Sequence, residues 1–163
     1  MGDLGFWALA QQNPDQLALV SPEGKEVTAG ELLNRCNQLV HALRGFALKP
    51  GAVVATLLPN GAEMIEVYLA CLQAGWRLVP INHHLAVPEI SYILEDSEAA
   101  AFIVHERFED LAVDSASEAG IPSTTSIAVG EITGFNSYER LLAVQPTTLP
   151  EDRTIGDVMN YTS

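Results

Sequence analysis

Two adjacent histidines, His83 and His84, are the first residues in this sequence whose types could do chemistry together. Paired imidazoles invite a metal site. Neighbours on a loop or strand point apart, however, and no Cys or further His stands at ligand spacing, so no metal ligand is expected. The adjacent acids Glu109 and Asp110 read as one solvated helix face, and no two carboxylates are placed to share acid–base work. Cys36 and Cys71 each sit among apolar residues at helical spacing, which reads as two reduced core thiols. His41 and His105 read as structural or exposed, and Trp7, Trp76, Tyr68 and Tyr92 as core or interface aromatics. The hydroxyls of Thr162 and Ser163, taken alone, belong to an ordinary strand end. Residue types by themselves assign no catalytic residue.

The elements that must position these groups are readable from periodicity. A first helix is expected over 3–12, ended by Asn13-Pro14, then a strand from Leu17 to Ser21 and a turn at 22–25. Thr28 and Glu31 form a capping box, and Leu32, Leu33, Cys36, Leu39, Val40 and Leu43 follow at three- and four-residue steps. Val53 to Leu58 reads as a buried strand, and Asn60 as the cap of a helix over 61–74 that is apolar nearly all round and ends at Gly75. A strand is expected over 77–81, a loop over 82–85, and a helix with Pro88 in its first turn and Ile90, Ile93 and Leu94 on one face. A strand over 100–104, a helix over 107–119, a strand over 126–129 and a short helix over 137–144 come next. Residues 145–153 are the one candidate boundary, with 149–152 linker-like, before a final strand over 155–161. Strands alternating with helices predict an α/β fold: a mainly parallel sheet with helices on both faces.

Composition bounds the partners. The 163 residues are 48% hydrophobic and 18% charged, enough for one core, since about 150 residues bury roughly 68–70% of their unfolded surface. Eight basic residues stand against 21 acidic ones, a formal charge of −13, and no basic stripe exists. Nucleic acid and anionic membrane surfaces are therefore not expected partners. The longest apolar stretch, around Ala52 to Leu58, is far short of a membrane span. The opening residues lack a basic, apolar signal pattern, and Phe6 stands where a myristoylation site wants Ser or Thr. A cytoplasmic location is expected.

Six segments carry a resemblance: Thr28-Ala29-Gly30-Glu31-Leu32, Pro50-Gly51-Ala52-Val53-Val54-Ala55, Leu58-Pro59-Asn60, Ala74-Gly75 with Val79-Pro80-Ile81-Asn82, Glu89 to Ser97, and Met159-Asn160-Tyr161-Thr162-Ser163. In order and spacing they are similar to T-Y-x-E-L, P-G-D-x-V-A, L-P-N, A-G-A-x-x-x-P-x-N, E-l-x-y-i-l-x-d-S and the opening of Y-T-S-G-T-T-G-x-P-K-G. These belong to the acyl-CoA synthetase, adenylation-domain and luciferase superfamily. The chain resembles the N-terminal portion of an AMP-forming acyl-CoA synthetase. Ala29 and Ala52 depart from the pattern, touching helix entry and turn only. The wording Pro80-Ile81-Asn82-His83-His84-Leu85 leans towards fatty or related acyl-CoA synthetases over peptide-synthetase domains.

The resemblance implies that residues 1–163 are an incomplete N-terminal part of a larger adenylate-forming domain. The rest of that domain and a C-terminal lid would lie outside them. It implies a ligase that joins a carboxylic acid to the α-phosphate of ATP, then passes the acyl group from the adenylate to CoA. ATP, Mg²⁺ and CoA would be co-substrates of the full-length enzyme, and the piece alone would be inactive. Thr162 and Ser163 would be the first hydroxyl residues of the ATP phosphate loop, and His84 is either a contact for a CoA phosphate or a solvated loop histidine. An acyl-AMP ligase serving a carrier protein belongs to the same superfamily, and a non-catalytic α/β interaction module is the reading outside it. Apolar surface left uncovered would favour self-association.

Overall fold

In the computed structural model, which describes residues 5–161, a helix and a hairpin precede the main sheet. Helix α1 (Phe6–Gln12) leads to an antiparallel pair, β1 (Leu17–Val20) and β2 (Glu26–Thr28). The turn closes through Ser21, whose N–H donates to the Lys25 carbonyl at 2.8 Å and whose carbonyl accepts from Gly24 at 2.9 Å. β2 runs directly into α2 (Ala29–Gly45), and the expected capping box forms there. Thr28 Oγ1 accepts the Glu31 N–H at 3.2 Å, and Glu31 Oε2 accepts the Thr28 N–H at 2.8 Å. Thr28→Ala is expected to cost about 1 kcal/mol, read as a lower melting temperature with an unchanged denaturant slope.

Six parallel strands form the main sheet: β3 (Val53–Leu57), β4 (Arg77–Pro80), β5 (Ala99–His105), β6 (Ser126–Val129), β7 (Asn136–Ser137) and β8 (Asp157–Val158). Their order is β7-β6-β5-β3-β4-β8. The helices between them are α3 (Ala62–Ala74), α4 (Val87–Asp96), α5 (Glu109–Glu118) and α6 (Tyr138–Ala143). Alternation along each strand divides the core in two. Val54 and Leu78 face one layer with Leu39 and Leu43 of α2, Val67 of α3 and Leu142 of α6. Val53, Ala55 and Val79 face the other, with Ile90 and Leu94 of α4 and Ala112 of α5. Helices thus cover both faces, which is why β3 is mostly apolar and is buried throughout.

Cys36 and Cys71 lie inside this core as free thiols. Burial pushes both well above the ordinary thiol range, and the nearby Glu66 adds to the effect at Cys36. Neither is expected to react with a thiol reagent in the native protein on the time scale at which both react in denaturant.

Several expectations are corrected. The N-cap of α3 is Gly61 with no side-chain cap bond, not Asn60; Asn60 is exposed at the rim of a cleft instead. The outer side of α3 is not covered: Ile65 is 37% and Tyr68 39% exposed. Tyr92 is also exposed, whereas Trp76 is buried. The final strand shrinks to Asp157–Val158, because the residues before it are taken up by the end of α3. Thr154 N–H donates to the Gln73 carbonyl at 3.2 Å and Gly156 N–H to the Leu72 carbonyl at 3.0 Å. Residues 145–151 are not a free linker but a strap across α2. Asn37, Gln38 and Arg44 donate side-chain hydrogen bonds to the carbonyls of Thr147, Gln145 and Glu151, and His41 Nε2 lies 2.9 Å from that of Thr148.

Candidate functional site

The strand order reverses between β3 and β5. From β3 the chain steps through α3 to β4 on one side, then returns through α4 to β5 on the other. Because α3 and α5 lie on opposite faces, the loops leaving β3 and β5 part, and a crevice opens beyond the strands' carboxyl ends. A cleft of about 1100 Å³ occupies that place. Pro59, Asn60 and Gly61 line it from the end of β3, and His105 and Arg107 from the end of β5. The hairpin turn closes it from outside through Pro22 and Lys25.

Its wall carries a buried carboxylate held by two side chains. Glu66 projects from α3 and is 3% exposed. Arg35 Nε of α2 donates to its Oε1 at 2.6 Å, and the Tyr138 hydroxyl of α6 donates to its Oε2 at 2.7 Å. The same guanidinium makes a two-pronged pair with Glu139, at 3.1 and 2.8 Å, and lies 5.7 Å from the Tyr138 ring centre. Burial opposes the charge on Arg35, but the bonds to Glu139 and Glu66 outweigh it and hold the guanidinium protonated. Burial, then the Glu66 charge, pushes Tyr138 well above the ordinary phenol range. Each Glu66 oxygen thus takes one bond, from Arg35 or from Tyr138. The network joins α2, α3 and α6 and shapes the cleft. Periodicity missed it: Glu66 sits among apolar residues, and its partners lie 31 and 72 positions away.

The loop after β4 brings His83 and His84 together, contrary to the expectation that they point apart. Asn82 Oδ1 accepts the His84 N–H at 3.0 Å, which folds the loop tightly. The two rings lie 4.2 Å apart, and His83 stacks at 4.8 Å on Phe108, just beyond β5. His84 is the exposed end of this column. The guanidinium of Arg107 also lies over the Phe108 ring, 5.3 Å from its centre. Among the described residues no three His, Cys, Asp or Glu side chains converge to hold a metal ion. Thr162 and Ser163 lie outside the described residues. The chain reaches them from β8 through Met159 and Tyr161, both packed on the α4–α5 side of the sheet, where the Tyr161 hydroxyl donates to Asp96 at 2.7 Å. Glu109 and Asp110 are exposed, as read. His41 is half-buried under the strap, and His105 Nδ1 accepts the Arg107 N–H at 3.1 Å.

Known proteins share this fold. A crystal structure of an anthranilate CoA ligase in complex with anthranoyl-AMP superposes with a TM-score of 0.86 at 27% identity, over 97% of this chain and 30% of that one. A fatty acid–[acyl-carrier-protein] ligase of Streptomyces coeruleorubidus is 34% identical over 122 residues, which are 75% of this chain and 23% of that protein. A feruloyl-CoA synthase of Amycolatopsis is 39% identical over 102 residues, 61% of this chain and 21% of that protein. The chain thus spans about a quarter of the length of these curated relatives. The family model for AMP-binding enzymes matches residues 6–163, and with motifs, topology and relatives in agreement the chain belongs to the AMP-binding enzyme family.

Proposed function

We propose that these residues serve an ATP-dependent acid–CoA ligase, as the N-terminal α/β portion of its large AMP-binding domain. The observation that carries this is the match to the family from residue 6 to residue 163, in register with a fold shared with a ligase that holds an acyl-adenylate. A carboxylate, with fatty acids as the first class to try, would be activated as an adenylate and passed to CoA. Adenylation gathers anionic groups, so it needs backbone amides, hydroxyls and a cation around the phosphates. In this reading Thr162 and Ser163 contribute the first hydroxyls of that set. Mg²⁺ would supply charge neutralisation there; the described residues offer no cluster fit to hold it, so its ligands would come from elsewhere in the full-length enzyme.

His84 fits a contact to a CoA phosphate. It is exposed and ends a column of His83 and Phe108, with the guanidinium of Arg107 close to the Phe108 ring. The carrier-protein ligase among the relatives favours a second reading, in which the adenylate passes to a carrier-bound thiol. Carboxylate-dependent ATP–pyrophosphate exchange tests both readings, and thioester formation with CoA or with a carrier protein separates them.

A further inference from the structure

Beyond β8 the chain has little to hold it. Met159 N–H donates to the Leu78 carbonyl at 2.8 Å, and among the described residues no backbone–backbone hydrogen bond reaches Asn160 or Tyr161. What ties the chain down after Met159 is the side chain of Tyr161. Its ring packs against the apolar layer on the α4–α5 side of the sheet. Its hydroxyl donates to Asp96 Oδ2 at 2.7 Å, across 65 positions of sequence. Burial, then the bond to Asp96 and the charge of that carboxylate, raises the Tyr161 hydroxyl to about 12. Near neutral pH the phenol therefore keeps its proton and donates.

Nothing local favours an acid where Asp96 stands. It is the last residue of α4, and no basic residue lies in that last turn. The unpaired carbonyls of a helix C-terminus favour a cation and disfavour an anion, by roughly 0.3–1 kcal/mol. Asp96 is exposed, and among the described residues no cation pairs with it. Its partner is the Tyr161 hydroxyl. A hydrogen bond to an exposed carboxylate adds little to global stability, since water competes for both partners. A short bond to a charged acceptor is nevertheless directional. It selects one position of the phenol, and so of the backbone that carries it. Thr162 and Ser163 follow that backbone directly.

We propose that Asp96 is a positioning residue: by holding the Tyr161 hydroxyl at the end of α4, it fixes the point from which the chain runs on into Thr162 and Ser163. The consequence for ATP rests on the ligase reading above; the hold on Tyr161 does not. Two measurements on the full-length protein separate them. Chymotrypsin cuts after an aromatic residue whose side chain has been released, so cutting at Tyr161 reports the hold without any nucleotide. Asp96→Ala is expected to speed that cut about tenfold, with other cuts and the melting temperature unchanged. Asp96→Asn keeps an acceptor oxygen and should restore most of the protection. In carboxylate-dependent ATP–pyrophosphate exchange, Asp96→Ala should raise the KM for ATP about tenfold and leave the KM for the acid within about twofold. Tyr161→Phe keeps the ring and should do the same, and the two changes together should do no more than either alone. Cutting at the parent rate in Asp96→Ala overturns the proposal. So does a KM for ATP that stays unchanged although Tyr161 is released, or one that rises only with a general loss of melting temperature. A parent protein that exchanges with no acid removes the ligase reading, and the rate of cutting at Tyr161 then decides the proposal alone.

Discussion

Glu66→Ala is expected to destabilise the protein by about 3 kcal/mol, the low end of the usual range for breaking a buried ion pair. The substitution removes the acceptor for Arg35 and Tyr138 together. Tyr138 is fully buried and would keep a hydroxyl with nowhere to donate. Arg35 would fare better, because 30% of its side chain stays in water and Glu139 still binds its other two nitrogens; this is why the low end applies. Glu66→Gln keeps an acceptor for one partner and should cost less. The informative variant carries Glu66→Leu, Arg35→Met and Tyr138→Phe at once. If desolvated polar groups are the source of the loss, that apolar trio recovers most of it, as buried ion pairs replaced by apolar residues often do. Urea unfolding with unchanged slope measures each cost. A single Glu66→Ala loss under 1 kcal/mol would mean the network adds little beyond a surface ion pair.

The sequence told most where a local rule governed. Thr28 and Glu31 carry a capping box in their spacing alone, and Gly75 ends α3 in the left-handed conformation that its position suggested. Strands covered on both faces, such as β3, announce themselves as mostly apolar, β-branched runs. Features that depend on distant partners stayed hidden. Glu66 gave no sign of pairing with Arg35, because nothing in a helical repeat distinguishes a buried acid from a solvated one. The strap read as a linker, since its composition is polar and its restraints come from α2, more than 100 residues earlier. Residues 155–161 have strand-like types, but only Asp157–Val158 pair as a strand, because Gly156 is pressed against the end of α3. At the candidate site, Asn82 to Leu85 was read correctly as a loop, but its Asx turn brings the two histidine rings together instead of apart.

Residues 1–163 alone are expected to show no ATP–pyrophosphate exchange with any carboxylic acid. Loss of a single oxyanion donor typically costs roughly 10²–10³ in rate, and by resemblance this chain holds only the first two hydroxyl residues of a phosphate loop. The positive arm places the chain in context, substituted for the matching segment of the Amycolatopsis feruloyl-CoA synthase, to which it is 39% identical over 102 residues. That chimera, once shown to melt cooperatively, is expected to catalyse exchange that requires both a carboxylate and Mg²⁺. Ser163→Ala within it should slow exchange by up to about 10²-fold through lost phosphate binding, with little change in melting temperature. Thioester formation with added CoA is then expected from the host's remaining parts, and His84→Ala in the inserted segment should raise the KM for CoA while leaving exchange intact. A folded chimera that exchanges with no acid at all would remove the ligase reading, because every other part of the machinery would come from an enzyme named for that chemistry.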